Sequence, residues 1–326
     1  VTGPLRILIT TASGVVPMGE LDSGVARLTG AGCEVHVQPG VNASHFVFAG
    51  DDESRARRFW EAAWSESADV LWCARGGYGA ARILPMLERF TLEDGTPPPK
   101  LLCGFSDVTA LHEFVRSRWG WSALHCAMPG GISFSEFPEP DFKATLALAR
   151  RDTAAALAPA PRWADLPLTS FGPEPLIDLD GTLVGGNLTV LASLAGTPFA
   201  PDNAGGRFLF LEDVSEAPYR IDRALNQLHQ AGAFRGVRAV LLGTFHDCND
   251  TPPTTGPQKT PIRAKFSEPE WMRHVFGTFS LATRIPVLRT LPCGHGPDKV
   301  PLPLGARYTL SGAGHLRLVH WDWLSR

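Results

Sequence analysis

Residues with the chemistry for acyl transfer stand at four places in the chain. Ser106 lies within Lys100-Leu-Leu-Cys-Gly-Phe-Ser-Asp-Val-Thr-Ala-Leu-His-Glu-Phe114. Leu101 to Cys103 suits a buried strand, Gly104 permits a tight turn, and Val108, Leu111, His112 and Val115 recur at helical spacing. Strand, turn and helix put the hydroxyl at a strand's carboxyl end, facing helix amides that favour developing negative charge. That is a good position for a nucleophile. In isolation, however, Ser-Asp ahead of an apolar helix reads first as a capping pair, and the second glycine of a Gly-x-Ser-x-Gly elbow is missing.

His295 sits between two glycines in Cys293-Gly-His-Gly-Pro-Asp298. Flanking glycines bring no side chains to bury an imidazole, but they let the backbone carry it to a shared site. An unperturbed imidazole titrates near ~6.5, so His295 is the histidine chosen as general base, the alternative being a surface loop residue. Glu212 and Asp213 follow the apolar run Arg207-Phe-Leu-Phe-Leu211, where a carboxylate can orient a histidine; taken alone they read as solvated loop residues. The glycines of Arg75-Gly-Gly-Tyr-Gly-Ala-Ala-Arg82 present backbone amides, as phosphate cradles and oxyanion holes require, or else serve only close strand-to-helix packing. Arg82 occupies the third glycine position of Gly-x-Gly-x-x-Gly, which argues against a dinucleotide site. Cys248, Cys293 and His295 lack paired metal-ligand spacing, so neither a metal nor another cofactor is called for.

The elements needed to position these residues alternate. Leu5-Arg-Ile-Leu-Ile-Thr10 reads as a first strand, residues 21–29 as a helix ended by Gly30 and Gly32, and Cys33-Glu-Val-His-Val37 as a second strand. Residues 51–67 are helical in pattern, 68–74 a buried strand, 120–126 a further strand and 142–150 a helix. This alternation predicts an α/β fold. Residues 153–175, rich in Ala and Pro, read as a connector, giving a first domain over 1–152 and a second over 176–326. In the second, Gly185-Gly186 reads as a tight turn into a helix presenting Leu188 and Leu191. Ser215 is placed as the cap of a helix bearing Ile221, Leu225 and Leu228, residues 237–243 as a strand, 247–267 as a polar surface loop, 271–279 as helical and 286–291 as extended.

The 326 residues are 44% hydrophobic, enough for a sizeable core, and carry a formal charge of -3. No basic field for nucleic acid is implied, and no apolar run reaches the ~18 residues of a membrane span. The N-terminus lacks the charged region and long apolar core of a leader. Six cysteines without paired spacing read as reduced thiols, which places the protein in the cytoplasm.

Taken together and in order, these segments resemble the LD-carboxypeptidase family of serine peptidases, which includes muramoyltetrapeptide carboxypeptidases and microcin-C self-immunity proteins. The resemblance rests on Cys73-Ala-Arg-Gly-Gly-Tyr-Gly79, Gly104-Phe-Ser-Asp-Val-Thr-Ala-Leu-His112, Gly185-Gly-Asn-Leu188, Gly196-Thr-Pro198, Leu211-Glu-Asp213, Pro218-Tyr-Arg-Ile-Asp-Arg223, Gly294-His-Gly-Pro297 and Leu302-Pro-Leu-Gly305. It implies a flavodoxin-like N-terminal domain, a smaller swivelling β/α C-terminal domain, and an active site between them. It further implies a Ser106, Glu212, His295 triad, with the amides of Gly77 and Asp107 as oxyanion donors and Arg75 as a candidate for a substrate carboxylate. The implied reaction releases terminal D-alanine from a muramoyl tetrapeptide, in a homodimer. Two alternatives are a microcin-type amidase acting on aminoacyl nucleotides and a non-catalytic two-lobed binding protein.

Overall fold

In the computed structural model the inner strands of the first half are short and buried on both faces, as expected where helices cover both sides of a parallel sheet, and the edge strand Glu34–Val37 is mostly exposed. The structure describes residues 3–131, 134–152, 168–172, 177–201, 205–251, 254–255, 260–261, 263–289 and 291–325. The first half runs β1 (Arg6–Thr10), α1 (Met18–Gly30), β2 (Glu34–Val37), α2 (Asp52–Trp64), β3 (Val70–Cys73), α3 (Ala80–Asp94), β4 (Leu101–Gly104), a 3-10 turn (Ser106–Val108), α4 (Thr109–Trp119), β5 (Ser122–His125) and α5 (Glu139–Ala149). The five strands are parallel in the order β2-β1-β3-β4-β5. This is the flavodoxin-like order, whose switch point lies between β1 and β3. Alternation sorts the strand residues: Leu8, Leu71 and Leu102 pack with Phe59, Leu84 and Leu111 on one face. Ile7, Ile9, Trp72, Cys103 and Leu124 pack on the other.

The second half contributes β6 (Thr169–Ser170), β7 (Leu179–Asn187), α6 (Leu188–Leu194), β8 (Arg207–Val214), α7 (Pro218–Gln230), β9 (Val237–His246), the ribbon β10 (Thr254–Thr255) and β11 (Thr260–Pro261), β12 (Val287–Arg289), β13 (Leu302–Leu304), β14 (Arg307–Leu310) and β15 (Leu316–His320). A seven-stranded sheet has the order β15-β14-β7-β8-β9-β12-β6, with parallel pairing from β7 through β12. Strand β13 instead pairs antiparallel with β5, at the edge of the first sheet. The two sheets also share apolar packing, since Leu302, Leu304, Phe208 and Phe210 belong to the same buried cluster as Trp72 and Leu124.

Several local expectations need correction. Gly185 and Gly186 do not form a tight turn; they lie inside β7. A β-carbon at Gly185 would come 2.1 Å from the Phe210 carbonyl oxygen, so the glycine serves close approach within the sheet. Glu212 and Asp213 belong to β8 and are buried, not solvated. Helix α7 is preceded by Ala217 and begins at Pro218, so Ser215 is not its cap. The 271–279 segment is interrupted, with a π-helical turn at Arg273–Gly277 between α-helical stretches Glu268–Met272 and Thr278–Thr283. Most of the 153–175 stretch lies outside the described residues. Within it, Thr169 and Ser170 pair with Arg289 and Leu288. The described part of the 247–267 loop is clasped by a bidentate Arg263–Asp250 pair, both contacts at 2.7 Å, whose hydrogen bonds hold the Asp250 carboxyl down at about 2.

Candidate active site

Ser106 is separated from the end of β4 by one residue, Phe105. Its φ of 62° is left-handed, a conformation that costs a non-glycine residue roughly 1–2 kcal/mol. The chain thereby leaves the strand sharply before entering α4. Neither helical start carries a side-chain cap bond, so the capping alternative does not describe the serine hydroxyl.

Buried Asp107 explains how that turn is held. Its Oδ2 accepts the Ala80 amide at 2.8 Å, binding the serine turn to the first residue of α3. Burial pushes the Asp107 carboxyl up, while the hydrogen bond from Ala80 opposes the rise. The glycine loop closes the other side: the Gly14 amide donates to the Gly76 carbonyl at 3.0 Å, joining the loops after β1 and β3 at the switch point. Gly76 is tightly apposed to Ser106; a β-carbon there would meet Ser106 Cβ at 3.0 Å and the Asp107 nitrogen at 3.3 Å. Gly77, with φ 108°, faces Gly14 instead. The Arg75 Nη1 donates to the Val15 carbonyl at 2.6 Å, tying the same loops together.

The carboxylate comes from β8 of the second sheet and the imidazole from the loop between β12 and β13. Glu212, wholly inaccessible, has its Oε2 2.7 Å from His295 Nδ1. Burial alone would raise this carboxyl, but the charge and hydrogen bond of His295, with the nearby His125 adding to the attraction, outweigh it and hold it at about 2. Glycines make room for this packing. A β-carbon at Gly294 would lie 2.8 Å from Glu212 Oε2, and one at Gly243 would lie 3.1 Å from Glu212 Cβ. The histidine loop is pinned by Thr244, whose hydroxyl accepts the Gly296 amide at 3.2 Å, and by Lys299, whose Nζ donates to the Gly296 carbonyl at 2.7 Å.

Asp213 is occupied elsewhere. It accepts the Thr189 amide and hydroxyl at 2.9 and 2.7 Å and the Asn187 side-chain amide at 3.0 Å. Asn187 in turn caps α6, and its backbone amide donates to the Thr109 hydroxyl at 3.0 Å. This contact couples the end of β7 to the helix that follows Ser106.

Phe105, the residue before Ser106, has its ring 4.7 Å from the His295 ring. Among the described residues no hydrogen bond joins the Ser106 hydroxyl to His295. The His295 side chain is 16% exposed, so one edge of the imidazole is open to a reactant while Nδ1 is committed to Glu212. Sequence reasoning missed Gly76 as the glycine touching Ser106, the anchoring Asp107 side chain, Asn187 and His125. The position of His125 at the carboxyl end of a parallel strand was the one signal available for it. Among the described residues no group of three or more His, Cys, Asp or Glu side chains could hold a metal ion, and no helix is long and apolar enough to cross a membrane.

Comparisons with known proteins agree with this architecture. Residues 7–126 match the LD-carboxypeptidase N-terminal domain and residues 180–310 the LD-carboxypeptidase C-terminal domain. A murein tetrapeptide carboxypeptidase of Pseudomonas aeruginosa is 30% identical over 312 residues, covering 94% of this chain and 93% of that one. The crystal structure of a muramoyltetrapeptide carboxypeptidase from Oxalobacter formigenes superposes with a TM-score of 0.69 at 30% identity, over 96% of this chain and 97% of that one. The microcin C7 self-immunity protein MccF shares the fold, with a TM-score of 0.75 at 19% identity over 99% of this chain and 97% of its own.

Proposed function

Because the chain belongs to the LD-carboxypeptidase family, and is therefore a peptidase, we propose that it is a serine carboxypeptidase releasing terminal D-alanine from a muramoyl tetrapeptide. The observation that carries the mechanism is the buried Glu212–His295 pair, 2.7 Å apart, packed against the residue preceding a serine in left-handed conformation. Ser106 attacks the carbonyl carbon of the amide before the terminal residue, and His295 takes the hydroxyl proton. Catalytic hydrogen bonds of this kind are often long before substrate binds and tighten in the complex. Glu212 holds the imidazole with Nδ1 as donor and stabilises the imidazolium that forms.

The amides of Asp107 and Gly77 receive the negative charge on the former carbonyl oxygen; one such donor is worth ~3 kcal/mol in the transition state. His295 then returns the proton to the departing amine of D-alanine, and water attacks the Ser106 ester by the same route in reverse. The nucleophile comes from the 1–152 domain, and the acid and histidine from the 176–326 domain. Arg75, already bound to the Val15 carbonyl through one nitrogen, is assigned to the substrate's terminal carboxylate. We place the enzyme in the cytoplasm as a homodimer; its six cysteines are all buried, in keeping with a reducing compartment. Parallel assays on murein tetrapeptide and on an aminoacyl sulfamoyl adenosine test the substrate assignment. Release of D-alanine from the first supports it, and cleavage of the second alone transfers the chain to the microcin-type reaction.

A further inference from the structure

Glu212 lies between two histidines, and the mechanism above uses one of them. His125 is the last residue of β5, in register with Gly104 of the nucleophile strand on one side and Leu302 on the other. Its side chain is 3% exposed, and its Nε2 lies 4.0 Å from Glu212 Oε1, the oxygen that His295 does not use. That nitrogen has no hydrogen-bond partner among the described residues. The ring is fixed edge-on between Phe105 at 5.6 Å and Phe210 at 5.0 Å. A buried ring nitrogen without a partner carries a desolvation cost, and an apolar side chain of similar size would avoid it.

The other titratable groups around this pair are accounted for. His112, on α4, is buried and brought down to about 3 by that burial, so it is neutral. Lys299, on the histidine loop, donates to the Gly296 carbonyl, and Asp213, beside Glu212 on β8, is taken by Thr189 and Asn187. Asn187 Nδ2 stands at 3.5 Å from Glu212 Oε1, at the edge of hydrogen-bond range. His125 is thus the group from the first sheet that faces the free edge of the carboxylate.

We propose that His125 is a positioning residue for the catalytic pair, reaching from the nucleophile's sheet to Glu212 Oε1 and drawing off part of the negative charge that Glu212 presents to His295. The inference rests on the Ser106, Glu212, His295 mechanism. Its sign is the same for a charged ring and for a neutral ring that carries its proton on Nε2. A neutral ring donating a proton and a charged ring both reduce the attraction between Glu212 and the His295 imidazolium. Removing His125 therefore makes His295 easier to protonate.

The test compares His125→Phe, which fills the space without a donor, with His125→Gln, whose terminal amide reaches the place of Nε2. His125→Asn, whose amide stops short at the place of Nδ1, is the second control. Two readouts are followed: the His295 titration by nitrogen-15 NMR of the intact protein, which needs no substrate, and the pH dependence of kcat and KM on murein tetrapeptide. We expect His295 in the Phe and Asn variants to titrate about one pH unit higher, and the acid limb of kcat/KM to move with it. We expect kcat to fall about 10-fold at neutral pH with KM little changed, and Gln to recover most of both effects. An unshifted His295 titration in folded Phe or Asn variants, or a Gln variant indistinguishable from them, overturns the proposal. If the Phe variant does not fold, the Gln and Asn pair decides the same question. Wild-type protein that releases no D-alanine contradicts the substrate assignment, while the NMR titration still decides the role of His125.

Discussion

Gly76 and Ser106 are in such close contact that a β-carbon at position 76 would lie 3.0 Å from the serine Cβ and 3.2 Å from its Oγ. Such a methyl group cannot be accommodated unless the serine turn or the glycine loop moves. Both are anchored, through the Asp107 bond to Ala80 and the Gly14 bond to Gly76. Gly76→Ala should therefore displace the hydroxyl from its attack position. Contacts this tight require a shift of a few tenths of an ångström. Since a displacement on the order of 1 Å can cost ~100-fold in rate, steady-state kinetics should show kcat lowered by about 10-fold or less. Circular dichroism should remain native.

The neighbouring carboxylates Glu212 and Asp213 have separable roles. Glu212 touches His295, whereas Asp213 joins α6 to the end of β7 through Thr189 and Asn187. Glu212→Gln should lower kcat by about 1,000-fold or more, because the imidazole loses the partner that fixes its tautomer. Asp213→Asn should act on stability, at about 1–3 kcal/mol, by removing an acceptor from a buried network. Chemical denaturation alongside kinetics separates the two; the reverse ranking would assign Asp213 as the orienting acid.

The same environment makes a pH prediction. The folded carboxyl of Glu212 titrates at about 2, below its ordinary value of 4.5. Its contribution to stability is fully present above the unfolded value and is lost as pH falls through that window. Burial raises Asp107 and Asp213, which act in the opposite sense. The informative quantity is therefore the difference between wild type and Glu212→Gln. Between about pH 5 and pH 2, denaturation midpoints should fall more steeply for wild type. Parallel curves would mean that Glu212 is not held as a buried anion.

What could be read from the chain was local, and what could not was set by contacts across it. The strand, turn and helix around Ser106 were legible because an apolar run, one glycine and a helical period all fall within fifteen residues. Gly185 and Gly186 suggested a turn because the sequence does not reveal what faces them. In the structure the Phe210 carbonyl crowds the first, and a β-carbon at the second would lie 2.5 Å from Thr109 Oγ1. Glu212 and Asp213 read as solvated because carboxylates are seldom buried; here His295 supplies the partner for one and Thr189 and Asn187 for the other. Leu302-Pro-Leu304 gave no strand signal, since three residues with a central proline form one only as an edge, and β5 provides that edge. Ser106, Glu212 and His295 were singled out through their combination and order, whereas Asp107 and His125 face partners more than twenty residues away, including Ala80 and Glu212.

The central claim is that Ser106 is the nucleophile. Its most direct test is D-alanine release from murein tetrapeptide by wild type and by Ser106→Ala, each checked for native circular dichroism and cooperative unfolding. A serine nucleophile predicts release by wild type and a loss of at least ~1,000-fold in the folded variant. Near-native release by folded Ser106→Ala would contradict it.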